Sequence, residues 1–75
     1  MKSRLPRVTA RQVIGVLEKI DFRWARQKGS HAIYKNAEGK RATVPVHSGK
    51  TLHPRVLQNI LRDAGLNVDE FVALL

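Results

Sequence analysis

The chain contains no cysteine, which rules out disulfides and every zinc site built on thiolates. Acid is scarce. Asp and Glu together number 6 against 14 Lys and Arg, and the formal net charge is +8. Long apolar runs are missing as well. The first apolar cluster, Val13 to Leu17, is broken by Gly15 and followed by Glu18 and Lys19. Nothing approaches the roughly 18 apolar residues of a membrane span. The basic segment Met1 to Arg7 is not followed by the apolar stretch of a secretory signal. These absences predict a cytoplasmic protein with no membrane partner.

What is present fits one small folded unit. At 75 residues the chain forms a single domain, 1–75, with a thin core. Chains this short often recruit a partner chain, so a homodimer is compatible with the length. An apolar content of 43% is enough to build a core and argues against disorder. The excess of cations predicts a polyanionic partner, nucleic acid before an anionic membrane or an acidic protein.

The periodicity divides the chain cleanly. Leu5-Pro6-Arg7-Val8 reads as an extended lead-in, because the residue before a proline avoids helix. Thr9 reads as an N-cap with Gln12 completing a capping box. Val13, Leu17 and Ile20 then recur at helical spacing, giving a helix over about 10–20. Gly15 inside that helix suggests close packing against a sheet. From Phe22 the period becomes two. Phe22 and Trp24 predict a strand, Lys28-Gly29-Ser30 a turn, and His31 to Asn36 a second strand with Ile33 opposite in facing to Tyr34. Ala37-Glu38-Gly39-Lys40 is a second turn. Arg41 to Val46 is a third strand, at a sheet edge because Pro45 cannot donate to a ladder. After a polar loop, Pro54 starts a second helix with Leu57, Ile60, Leu61 and Ala64 as its apolar stripe. Gly65 stops it, and Asn67 with Glu70 caps a short third helix. The expected fold is α+β: a two-layer sandwich of helix, three-stranded antiparallel sheet and helix, with a short C-terminal helix. The double-stranded-RNA-binding domain has the same order of elements.

Few residues offer chemistry. The six acids, Glu18, Asp21, Glu38, Asp63, Asp69 and Glu70, fall on helices, helix ends or turns, where capping and charge balance explain them. Gly49-Lys50-Thr51 resembles the end of a phosphate-binding loop, but the first glycine of that motif would have to be residue 44, which is Val44. The three histidines, His31, His47 and His53, match no standard metal spacing. No metal or cofactor is expected.

A second turn centred on Glu38-Gly39 would pair Ile33 with Val44, Tyr34 with Thr43, His31 with Val46 and His47 with Ser30. The apolar pattern favours that register over a one-residue slip that sets Ile33 against Thr43. A bulge in the Glu-Gly turn is the competing possibility. Lys28, Gly29, Ser30, His31 and His47 would then meet at one edge with Lys50 close behind. A proton carrier of near-neutral pKa beside phosphate-binding cations suits RNA cleavage, in which a 2′-hydroxyl attacks the adjacent phosphorus. Trp24 shares the side of Phe22 and reads as core. Tyr34 reads as the better base-stacking candidate.

Three segments in order carry a resemblance: Arg26-Gln27-Lys28-Gly29-Ser30-His31, Thr43-Val44-Pro45-Val46-His47 and Ile60-Leu61-Arg62-Asp63-Ala64-Gly65-Leu66. With Leu5-Pro6-Arg7-Val8-Thr9 and Val68-Asp69-Glu70-Phe71 they resemble the HicA-type toxins over about residues 5–75. The resemblance implies a fold like the double-stranded-RNA-binding domain. It implies an mRNA interferase, a ribosome-independent RNA endonuclease held inactive by a HicB-type antitoxin and needing no metal. It implies that His31, in Gly-Ser-His, is the functional histidine. Two positions depart from the family pattern: Asp21 stands where glycine is usual, and Pro54-Arg55-Val56-Leu57 replaces a Gly-Thr-Leu-like helix start. The site expected is His31 as general base or acid. Lys28, Gly29, Ser30 and Lys50 are the expected phosphate contacts, with Arg26 and His47 in supporting RNA contacts. A non-catalytic RNA-binding module, or a basic face that docks an acidic partner, fits the same charge.

Overall fold

The computed structural model describes residues 4–75. Met1–Ser3, the first part of the basic segment and of the 1–75 domain, lie outside the described residues. The elements are α1 (Ala10–Lys19), β1 (Arg23–Lys28), β2 (His31–Lys35), β3 (Arg41–Pro45), α2 (Pro54–Ala64) and α3 (Val68–Leu74). The sheet is antiparallel in the order β1-β2-β3, which puts β3 and its Pro45 at an edge as expected. This is an α+β two-layer fold.

Both expected capping boxes form. Gln12 N–H donates to Thr9 Oγ1 at 3.3 Å, and Thr9 N–H donates to Gln12 Oε1 at 2.9 Å. Asn67 and Glu70 repeat the exchange at 2.8 and 2.9 Å. Each box satisfies donors that a helix start would otherwise leave unpaired. At its other end α1 closes in a Schellman motif. Phe22 N–H donates to Leu17 C=O at 3.0 Å and Asp21 N–H to Glu18 C=O at 3.2 Å. Phe22 and Leu17, both 1% exposed, supply its apolar contact. The motif needs a left-handed residue, and Asp21 takes φ 68°. Helix α2 ends in the same bond pattern at Gly65. Asp21 is therefore a strained position rather than a neutral one.

One core joins both helices to one face of the sheet. Val13, Val16 and Leu17 of α1 meet Leu57, Ile60 and Leu61 of α2 over Ala32, Tyr34, Ala42 and Val44. Phe71 of α3 is fully buried against the same cluster. No polar or charged side chain is buried among the described residues. Gly15 does not mark close packing: a methyl group there would meet nothing within 4 Å.

The register of the β2–β3 hairpin differs from the expectation by one residue. Ala32 faces Val44, Ile33 faces Thr43, Tyr34 faces Ala42 and His31 faces Pro45. The reason is the turn. The loop has three residues, Ala37-Glu38-Gly39, with Asn36 N–H donating to Lys40 C=O at 3.1 Å. Asn36 Oδ1 accepts from Glu38 N–H at 3.1 Å and Lys40 N–H at 2.9 Å. Gly39 takes φ 86°, the left-handed position of a three-residue hairpin loop with a bulge. Tyr34 is therefore a core residue, 7% exposed, and not a stacking platform. Trp24 is the opposite case. It faces Tyr34 on the helix side yet is 56% exposed, because β1 is exposed along its whole length and the helices do not cover it.

Two outcomes follow from these placements. Left-handed strain costs a non-glycine residue about 1–2 kcal/mol, and a new glycine gives back about 0.4–1 kcal/mol of unfolded-state entropy. Asp21→Gly should therefore raise stability by about 0.5–1 kcal/mol, read as an increase in denaturant midpoint at unchanged m-value. Burial pushes the Tyr34 phenol above its usual value, and the Glu18 carboxylate adds to the shift. The folded state holds this proton more tightly, so the contribution is fully present below the unfolded value of about 10 and is lost as pH rises through the higher folded value. Tyr34→Phe should remove that component of the alkaline fall in stability, measured by denaturant titrations between about pH 9 and 11.

Candidate nucleic-acid interface and cleavage site

The same register that buries Tyr34 composes the other face of the sheet. Directly paired residues point to one side. The face away from the helices therefore carries Arg23, Lys35 and Arg41 in one row, Arg26, Ile33 and Thr43 in the next, and Lys28, His31 and Pro45 in the third. No strand contains a carboxylate. The odd spacing of Arg23, Arg26 and Lys28 reaches one face only because the pairing shifts between Trp24 and Arg26. A bulge inserts one unpaired residue, here Ala25, and restores the alternation.

Arg23 is not free on this face. Its guanidinium donates to the carbonyls of Glu18 at 3.2 Å and Phe22 at 2.9 Å, with Asp21 3.8 Å away. It caps the C-terminal end of α1, where cations suit the helix dipole. The β1–β2 turn is held from the helix side. Trp24 Nε1 donates to Gln27 Oε1 at 3.3 Å, and Gln27 Nε2 donates to Gly29 C=O at 3.1 Å. Gly29 takes φ 58° at the first loop position while Ser30 keeps a negative φ, as a type II′ turn requires.

His31 opens β2 directly after this turn and is exposed. It lines a cleft of about 270 Å³ between the open face and α2, with Thr43, Pro45, Val56, Asn59 and Asp63. The cleft runs on into a second of about 590 Å³ lined by Lys35, Gly39 and Arg41, the two sharing Thr43 and Asp63. Together they make one groove with His31 at one end and the Lys35–Arg41 pair at the other.

Of the residues expected at the site, Arg26, Lys28 and His31 lie on this face, and Gly29 and Ser30 form its turn. The expected pairing of His47 with Ser30 is not observed. Ser30 accepts from Val46 N–H at 2.7 Å, so Val46, not His47, stands opposite Ser30. His47 lines a separate hollow with Thr9, Ala10 and Arg11 at the start of α1. Lys50 closes a turn back to the His47 carbonyl at 3.2 Å. The loop is tied down beyond it, with Leu52 N–H donating to Val8 C=O at 2.7 Å. Lys35, Arg41, Asn59 and Asp63 are the residues the sequence reading passed over. The first two were visible as the same alternation that carries His31. The α2 pair was not, since only docking of the helix beside β3 brings it to the groove.

Among the described residues no three His, Asp or Glu side chains gather where a metal could sit, and no helix is long and apolar enough to cross a membrane. A family model described as HicA toxin of bacterial toxin–antitoxin systems matches residues 10–66. No curated protein matches the chain.

His53 has a structural task. Its Nδ1 accepts from Arg55 N–H at 3.1 Å, which makes it the N-cap of α2, ahead of Pro54. Losing such a cap costs about 0.5–2 kcal/mol. His53→Ala should lower the denaturant midpoint by that amount, and His53→Asn should restore most of it. Neither should change the rate of any reaction at His31, which an activity measurement under folded conditions checks.

Proposed function

The chain belongs to the HicA toxin family, and on that premise we propose that it is an mRNA interferase, an RNA endonuclease whose catalytic residue is His31. The observation that carries the reading is the setting of His31. It is an exposed imidazole on a sheet face populated by cations and free of strand carboxylates, beside a glycine turn. The motif Lys28-Gly29-Ser30-His31 is intact, and its partner protein on this reading is a HicB-type antitoxin.

The chemistry follows from those groups. A neutral imidazole takes the proton from a ribose 2′-hydroxyl. The 2′-oxygen forms a bond to the adjacent phosphorus, the bond from phosphorus to the 5′-oxygen breaks, and the leaving oxygen takes a proton from open solvent. Negative charge builds on the phosphoryl oxygens in between. Lys28 stands directly opposite His31 across the β1–β2 pair and is placed to stabilise that charge. The backbone at Gly29 and the hydroxyl of Ser30 offer hydrogen bonds to the same phosphate. His47 and Lys50 stand in a neighbouring loop, where they contact RNA outside the reacting centre. An antitoxin that covers the open face blocks substrate phosphates and His31 together, and it is acidic where it docks.

The test is incubation of the purified protein with a defined mRNA, with and without EDTA, beside His31→Ala. Cleavage should survive EDTA, and the variant should lose about 10²–10⁴-fold in rate, the usual worth of general acid–base catalysis, at little change in thermal stability. A folded variant that cuts at the wild-type rate sinks the assignment. RNA bound by the wild-type protein but never cut selects a non-catalytic RNA-binding module instead.

A further inference from the structure

The open face does not end at His31. Arg26, Lys28, Lys35 and Arg41 stand on it, exposed and without a side-chain hydrogen bond or ion pair among the described residues. Lys28 belongs to the row of His31. Lys35 and Arg41 face each other at the opposite end of the hairpin. Four residue steps along β2 carry the chain from His31 to Lys35, about 13 Å at a rise of about 3.3 Å per residue. Unpaired cations held beside each other repel, and among the described residues no carboxylate stands within ion-pair distance of either. A ligand with regularly spaced negative charge would relieve that repulsion.

The groove also tells the two sides of such a ligand apart. Its sheet wall carries the cations. Its helix wall carries Asp63, the single carboxylate lining either cleft. Asn59 beside it accepts from Arg62 Nη2 at 3.1 Å through Oδ1, which leaves its amide N–H groups free to donate. A carboxylate repels phosphate but accepts hydrogen bonds from base amino groups, and an asparagine amide also reads base edges. An acidic peptide would bring carboxylates against Asp63, whereas a nucleic acid strand can turn its bases to that wall and its phosphates to the other.

We infer that the groove between the open sheet face and α2 is a track for single-stranded RNA, in which Lys35 and Arg41 form a second phosphate subsite remote from His31. The inference rests on the RNA reading above and adds the path of the strand and its direction of facing. The 13 Å span corresponds to roughly two to four nucleotides, taking a rise per nucleotide between the stacked 3.4 Å and its stretched double. A substrate must therefore extend that far to one side of the cut to use the subsite. Asp63 holds the sugar–phosphate backbone to the strand side of the groove.

The experiment compares binding of a dinucleotide and a six-nucleotide RNA, both 2′-O-methylated so that the attacking hydroxyl is blocked, to wild type, to Lys35→Gln/Arg41→Gln and to Arg4→Gln/Arg7→Gln. The last removes the same charge from the lead-in segment, outside the sheet. All these positions are exposed, and circular dichroism checks the folds. The Lys35/Arg41 variant should bind the six-mer about tenfold more weakly, with the slope of log K against log salt reduced by up to about 1.4 for two single-strand phosphates. Its dinucleotide affinity should stay at the wild-type value. The Arg4/Arg7 variant should leave the slope of the six-mer near wild type. Equal losses in the two variants, or an unchanged six-mer affinity, would overturn the track. So would an acidic peptide of equal charge that binds as tightly as RNA and loses the same affinity in the Lys35/Arg41 variant, since that assigns the face to a protein partner. If the length-dependent binding holds but wild type never cuts an unmethylated RNA, the track stands and the interferase reading falls.

Discussion

The register of the β2–β3 hairpin governs every other feature of this molecule. It is set by Asn36, whose side chain takes two backbone N–H groups of the turn, and by the left-handed Gly39. A slip of one residue exchanges the two faces of a strand pair. In the observed register Ala32, Tyr34, Ala42 and Val44 point to the helices, while His31, Ile33, Lys35, Arg41 and Thr43 point away. The core and the candidate site are thus two consequences of one turn. A slipped hairpin would set Lys35 or Arg41 against the apolar helices, at a desolvation cost no small core can meet.

The second strand pair obeys the same logic with a different device. β1 carries its cations at uneven spacing, and regular alternation would split them between faces. The bulge at Ala25 restores them to one face. It also roughens an edge strand that no helix covers, and together with the charges it opposes pairing with another chain. Over β2 and β3 one side is apolar and covered by the helices, and the other carries the cations around Ile33. Only Arg23 is diverted, to the carbonyls at the end of α1, where it stabilises the fold.

A histidine on such a surface differs from one in a buried network. His31 makes no side-chain hydrogen bond within the described residues and lies in an open cleft. Its orientation is not fixed by a carboxylate partner, as it is in a catalytic triad. The substrate must do part of that work, so the groove that aligns the strand bears directly on the chemistry. His53 makes the contrast plain. The same side chain, spent on a helix cap, is bound to the backbone and withdrawn from solution chemistry.

Local signals decided the elements. Capping boxes at Thr9–Gln12 and Asn67–Glu70, Pro54 at a helix start, Gly65 at a helix end and the change of period at Phe22 all depend on residues within a few positions of each other, and all formed. The family resemblance and the Gly-Ser-His motif were legible for the same reason, being contiguous. What lay beyond the sequence depended on where separate pieces met. Trp24 looked like core because its strand alternates, but burial of a strand face needs a helix over it, and the helices reach only as far as β2 and β3. Tyr34 and Ile33 exchanged faces because apolar pairing across a hairpin is a weaker constraint than the hydrogen bonds of the turn that closes it. Val46 rather than His47 came to pair with Ser30 for the same one-residue reason. The groove, with Asn59 and Asp63 on one wall and Lys35 and Arg41 on the other, exists only because α2 docks beside β3, and no pattern along a single segment encodes the distance between two elements.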